Sequence, residues 1–146
     1  MRVVIGAPGN GAALKDELRA YLQADDRVSE VLDLSTADIT YPDVSFQAAQ
    51  AVLDGRADRG ILVCGTGVGT AIAASKVPGV RAATAHDVIT VRGSVENYDA
   101  QIICMGQNVI AAPAATALLD VWLDARHDPA SSYGPKLEEI AAFESR

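Results

Sequence analysis

Near its middle the chain reads Gly60-Ile61-Leu62-Val63-Cys64-Gly65-Thr66-Gly67-Val68-Gly69-Thr70. Gly60 to Val63 is an uninterrupted apolar run, the pattern of a strand buried on both faces. The run stops at Cys64, and glycine then recurs at 65, 67 and 69. Such glycines let the backbone turn tightly and leave N–H groups open to a ligand. Thr70-Ala71-Ile72-Ala73-Ala74-Ser75-Lys76 has helix-forming composition, so the loop feeds a helix N-terminus. A thiol beside open amides at such a place suits chemistry on an anionic substrate. The plainer alternative is a strand-to-helix turn around a buried, inert cysteine.

Outward from this stretch the same alternation repeats. Toward the N-terminus, Arg2–Gly6 reads as a short strand and Ala12–Ala24 as an amphipathic helix with Leu14, Leu18, Tyr21 and Leu22 on one face. Val28–Leu34 is a second strand. Tyr41-Pro42-Asp43 opens a helix, with proline in its first turn and Phe46 and Ala49 facing inward, and Gly55 closes it. Asp58–Val63 is the third strand. Toward the C-terminus come a strand at Val80–Thr84, a helix over about Asp87–Val95 and a strand at Ala100–Met105. Helices at Ala114–Ala125 and Pro135–Phe143 follow. The segment Arg126–Gly134 detaches the last helix, which is left either to pack on a partner subunit or to cap its own sheet. Strands alternating with helices imply a parallel sheet covered on both faces. The expected fold is therefore a three-layer, doubly wound Rossmann-like or flavodoxin-like α/β sandwich with a five-stranded sheet, in one domain over residues 1–146.

Composition narrows the function. At 146 residues the chain is long enough for a real core. A net charge of −7 argues against nucleic acid or an anionic membrane as partner. No apolar run approaches the roughly 18 residues that a membrane span needs. The N-terminus enters a strand without the layout of a signal peptide, so a cytoplasmic protein is expected. Its two cysteines, Cys64 and Cys104, both follow apolar runs and read as reduced thiols. With His86 and His127 the only histidines and no paired ligand spacing, no metal site is expected.

In sheets of this kind ligands lie beyond the carboxyl ends of the strands. Gly6-Ala7-Pro8-Gly9-Asn10-Gly11 invites a dinucleotide reading, with Asp33 where a ribose-binding acid would stand. Pro8, however, occupies the position of the second glycine of that fingerprint. A tight turn lining a smaller ligand, with Gly9 and Asn10 at its tip, fits better, and no cofactor is expected. Cys64 and Thr66 form the sharper constellation. A thiolate of lowered pKa can act as a base, and the amides from Gly65 through Gly67 and Val68 to Gly69 can hold an enediolate as an oxyanion hole would. That set suits proton transfer between neighbouring carbons of a hydroxy-carbonyl compound. His86 is placed to reach the same pocket, Asp87 reads as a helix cap, Tyr41 lies at the right edge, and Cys104 belongs in the core.

The run Ala57–Gly69, continuing through Ala73-Ala74-Ser75-Lys76-Val77-Pro78-Gly79-Val80-Arg81 to His86-Asp87, resembles the type-B ribose 5-phosphate isomerases and the related galactose 6-phosphate isomerase subunits. Leu14-Lys15 and Tyr41-Pro42-Asp43 match as well, and the resemblance spans nearly the whole chain. It implies a Rossmann-like sandwich, a homodimer or tetramer whose sites are shared between subunits, and metal-free aldose–ketose isomerisation of a sugar or sugar phosphate through a cis-enediol. By position it implies that Cys64 is the base, that Thr66 helps proton exchange at the sugar oxygens, and that the loop amides through Thr70 and the Tyr41 ring line the substrate pocket.

Three departures set this chain apart. Where the family carries Ser-Asp-His-Ala-Gly after the first strand, Ala7-Pro8-Gly9-Asn10-Gly11 stands here. The ring-opening His-Asn pair, which the family brings from the partner subunit, is replaced by Asn97-Tyr98, and an asparagine shuttles no proton at neutral pH. Of two phosphate-gripping arginines, the aligned positions hold Pro135 and Lys136. The altered set implies a different substrate, a short open-chain sugar such as a tetrose phosphate or a related keto-sugar, which needs no ring opening. A half-site subunit needing a paralogue, or a small-ligand-binding module without turnover, are the alternatives from other classes.

Overall fold

A computed structural model describes residues 1–146. Five strands form one parallel sheet: β1 (Arg2–Gly6), β2 (Glu30–Asp33), β3 (Arg59–Cys64), β4 (Ala82–Thr84) and β5 (Ile102–Gly106). Six helices accompany them: α1 (Ala12–Gln23), α2 (Tyr41–Leu53), α3 (Val68–Ala74), α4 (Val88–Glu96), α5 (Ala112–Asp124) and α6 (Gly134–Glu144). A short 3-10 turn at Gly9–Gly11, which composition did not mark, leads into α1.

The strand order is β2-β1-β3-β5-β4. The chain therefore steps one way from β1 to β2 and from β4 to β5, and the other way from β2 to β3 and from β3 to β4. A constant right-handed crossover puts the connecting helices of the two directions on opposite faces. The core divides in that way. Leu14, Leu18 and Leu22 of α1 pack with Val91 and Val95 of α4 and with Leu119, Trp122 and Leu123 of α5 on one face. Val44, Ala48 and Ala51 of α2 pack with Ala71 and Ala74 of α3 on the other. Alternation along β3 feeds both clusters, Ile61 and Val63 to the first and Leu62 to the second. The expected three-layer sandwich is present.

Element ends differ from the sequence reading where side chains take over backbone bonding. β4 is shorter than Val80–Thr84 because the Val80 N–H turns back to Val77 O and the Arg81 N–H donates to the Gln101 side chain. β2 begins at Glu30, after a turn in which the Val28 N–H bonds Asp25 O. α3 begins at Val68, two residues early, because Gly67 takes a left-handed φ of +77° that lets the chain enter the helix at once. No helix is long and apolar enough to cross a membrane. The detached α6 buries none of its residues, and Phe143 is 69% exposed. It is tied to the body where the Gly79 N–H donates to the Glu144 carboxylate at 2.8 Å.

Candidate active site

The strand order places the Cys64 loop between two loops that leave in the other direction. β3 hands the chain to α3 on one face, whereas its neighbours β1 and β5 hand it to α1 and α5 on the other. The loops Ala7–Gly11 and Gly106–Asn108 thus flank Cys64–Gly67 from both sides. Gly11 allows the first approach: a Cβ there would stand 2.5 Å from Val63 O and 2.9 Å from Cys64 Cα. The second flank is held by backbone bonds, Gln107 N–H to Cys64 O at 2.8 Å and Asn108 N–H to Gly65 O at 3.0 Å. The Gln107 side chain then ties both flanks together by accepting the Leu14 N–H at 2.9 Å.

Cys64 Sγ accepts the Gly67 N–H at 3.2 Å and lies 3.5 Å from Thr70 Oγ1. Burial pushes its pKa up, but the Thr70 hydroxyl and the Thr70, Thr66 and Gly67 amides outweigh it and hold the thiol below its ordinary value. Thr66 is exposed, and its Oγ1 accepts the Val68 N–H at 3.3 Å. Two of the amides expected to hold an enediolate, those of Gly67 and Val68, therefore have partners inside the loop. The Gly69 amide lies in the first turn of α3, where no intrahelical carbonyl is available, whereas the Thr70 amide in the same turn is directed at the Cys64 sulfur. The Thr70 side chain is fully buried beneath the loop, its hydroxyl shared between Cys64 Sγ and Gly67 O. The residue as a whole is 0% exposed and its amide serves the sulfur, so within one chain it supports Cys64 and does not line the substrate pocket; sequence reading missed this part because an i to i+6 contact needs the turn.

The Tyr41 ring lies against Gly69, 3.0 Å from where a Cβ would stand, and is 47% exposed. Asn10 lies beside Gly65, Val68 is exposed, and Gly9 faces open space. His86 caps the end of β5: its Nε2 accepts the Gly106 N–H at 2.8 Å, and burial holds its pKa below the ordinary imidazole value, with Asp87 pulling the other way. Bonded so, His86 supports the floor beside the loop as a neutral ring. Asp87 caps α4 by accepting the Thr90 N–H, as expected. Asp33, weighed as a ribose acceptor, is taken by Lys15 at 2.8 Å and Arg19 at 2.9 Å.

Asn97, Tyr98 and Lys136 form a separate group at the β4 edge. The Tyr98 and Tyr133 rings meet edge to face at 5.5 Å, and Lys136 Nζ stands over the Tyr133 ring at 5.0 Å. Asn97 and Tyr98 line a cavity of about 310 Å³ with Ala83 and Thr84. No hydrogen bond joins Asn97, Tyr98 or Lys136 to Cys64 within one chain, although Thr84, on the wall of that cavity, donates its hydroxyl to Gly67 O at 2.8 Å. Cys64 is itself 5% exposed and lines none of the cavities of the single chain. The groups around it are an open rim. Asn108, on that rim, follows β5 at the carboxyl edge where ligands are expected, but the sequence assigns it no role, because its approach to Gly65 depends on the strand order.

A family model described as Ribose/Galactose Isomerase matches residues 3–140. The chain is 45% identical to the D-erythrulose-4-phosphate isomerase 2 of Mycolicibacterium smegmatis, over 99% of this chain and 97% of that one. It is 37% identical to the D-erythrulose-4-phosphate isomerase of Pectobacterium atrosepticum, over 99% and 95%. Among solved structures, the ribose-5-phosphate isomerase B of Clostridium thermocellum superposes with a TM-score of 0.93 at 36% identity, covering 99% of this chain and 98% of that one.

Proposed function

The chain belongs to the ribose/galactose isomerase family, and from that membership we propose that it interconverts the aldose and ketose forms of a four-carbon sugar 4-phosphate, with Cys64 as the base. The observation that carries the reading is Cys64 Sγ, held by the Gly67 N–H at 3.2 Å at the carboxyl end of β3 with its pKa lowered. In the ketose-to-aldose direction the thiolate takes a proton from C1. The C1–H electron pair forms the C1–C2 double bond and the carbonyl pair moves onto O2. The Gly69 amide, which has no partner within its helix, stabilises the resulting enediolate. The thiol returns the proton to C2 while the O1 proton passes to O2's former charge by way of the Thr66 hydroxyl, leaving the aldehyde at C1.

The substrate follows from ring chemistry. A tetrose whose O4 carries phosphate has no hydroxyl with which to close a five-membered ring. It therefore needs no ring-opening acid, and Asn97 can stand where the family uses histidine. Two relatives named for erythrulose 4-phosphate, each matching 99% of this chain, support the same choice. Because Cys64 opens onto a rim rather than a cavity, a second copy of the chain closes the site, bringing Asn97, Tyr98 and Lys136, with Lys136 as the cation facing phosphate.

The test is turnover and solvent-deuterium exchange with D-erythrulose 4-phosphate and D-ribose 5-phosphate. Turnover of the tetrulose phosphate with label at the carbon next to the carbonyl is expected, and it disappears in Cys64→Ala. Equal or faster turnover of ribose 5-phosphate overturns the substrate assignment, and exchange at a rate undiminished in a folded Cys64→Ala overturns the base.

A further inference from the structure

The geometry points to Asn108, paired with Asn10, as a carboxamide clamp that reads the hydroxyl next to the reacting carbons. This rests on the proposed reaction at Cys64 and adds a specificity-determining residue to it. The key position is Gly65, the residue that follows the sulfur. A Cβ at Gly65 would stand 3.1 Å from Asn10 Nδ2 and 3.4 Å from Asn108 Nδ2. The missing side chain lets two carboxamides close over one peptide, one from the loop after β1 and one from the loop after β5. Both residues are exposed.

The placement is built rather than incidental. The Asn108 backbone N–H is spent on Gly65 O at 3.0 Å, which fixes the Cα and leaves the side chain facing the rim. On the other flank, the Ala7 N–H donates to Ser35 Oγ at 3.0 Å, and Leu14, just beyond the 3-10 turn, donates its N–H to Gln107 Oε1. Strand order is what makes the pair possible. Only because β5 lies between β3 and β4 does a loop bound for the α5 face arrive beside Gly65. With the last two strands exchanged, position 108 would stand at the sheet edge.

The chemistry of two carboxamides selects the ligand group. Each offers N–H donors and a carbonyl acceptor, which matches a hydroxyl that both donates and accepts. Neither carries charge, so a phosphate, best held by cationic donors, is better served by Lys136. On a tetrulose 4-phosphate with C1 and C2 at Cys64, the group left for the clamp is the C3 hydroxyl. Phosphate then points away from the Ala7–Gly11 loop.

The experiment compares D-erythrulose 4-phosphate with its 3-deoxy analogue in the wild-type protein, Asn10→Ala, Asn108→Ala and the double variant. One neutral hydrogen bond is typically a roughly two- to tenfold effect on binding. Wild type is expected to prefer the hydroxylated substrate by about tenfold in kcat/KM, mostly through KM. Asn108→Ala should lose that preference, and the double variant should lose less than the product of the single losses, because both side chains address one hydroxyl. An unchanged preference in Asn108→Ala, with wild type active on both compounds, overturns the clamp and leaves the reaction intact. A wild type inactive on both overturns the reaction itself. Circular dichroism of each variant separates misfolding from lost recognition, and a folded Asn108→Leu that keeps the wild-type preference also overturns the clamp, since it can neither donate to the hydroxyl nor accept from it.

Discussion

Cys64 and Cys104 lie two rungs apart on paired strands: Cys104 stands opposite Leu62, and Cys64 opposite Gly106. Both are free thiols, both are buried, and both are within reach of the Thr70 hydroxyl. Their acidities nevertheless move in opposite directions. Burial pushes Cys104 up to about 12, against a small pull from Thr70. Burial pushes on Cys64 too, but there the amides of Thr66, Gly67 and Thr70 win. The difference is the end of the ladder. In mid-strand every neighbouring amide is engaged by the next strand, so a sulfur finds no donors. At the strand end the amides turn inward on the sulfur, and Gly67 supplies the backbone turn that aims them. Two residues of register separate a core filler from a group poised to carry charge.

Exchanging each thiol for alanine tests this contrast most severely. Cys64→Ala should lower kcat/KM by about 10²- to 10⁴-fold, the range for a positioned base, as read by deuterium exchange. Cys104→Ala should instead keep kcat and lose about 1–2 kcal/mol of stability to a small cavity, read by denaturant melts followed at Trp122. A Cys104→Ala that loses activity while fully folded breaks the contrast.

Thr70→Val sharpens it. The hydroxyl favours the charged form of Cys64, so its removal raises that pKa and the acid limb of kcat/KM moves to higher pH. Activity near neutrality should fall by roughly fivefold, the size of one hydrogen bond, and recover as pH rises. A drop of the same size at every pH would mean that Thr70 only packs.

The smallest expected effect lies at Asp33, where the same balance operates on a carboxylate. Burial raises its pKa, yet the Lys15 and Ser35 bonds bring it below the usual value. A lowered carboxylate contributes stability that is full above the ordinary carboxylate range and is lost as pH falls through its folded value. Asp33→Asn should therefore cost about 1 kcal/mol at neutral pH and flatten the fall of the melting temperature in acid. Two observations would contradict this account: a wild-type melting curve insensitive to acid, or one that the variant leaves unchanged.

Much of this site is written locally. Gly60–Val63 announces a strand by apolarity, the spaced glycines announce a loop, and Cys64 sits at the junction whatever the rest of the chain does. The Tyr41–Pro42 helix start and the Asp87 cap are equally local, since capping partners lie within three residues. The Thr70–Cys64 contact, the His86 bond to Gly106 and the Asn108 approach to Gly65 span 6, 20 and 43 positions, and no spacing rule reports them.

By itself, then, the sequence determined which segments are strands and helices, that they alternate, and which thiol ends a strand. Hydrophobic periodicity and glycine placement act within a few residues and need no partner. Strand order was left to the tertiary structure, because several orders satisfy the same right-handed crossovers and only the packing of α1, α4 and α5 against one face and α2 and α3 against the other selects among them. That order in turn settled which loops meet at Gly65, and with them the neighbours that tune the sulfur and frame what approaches it.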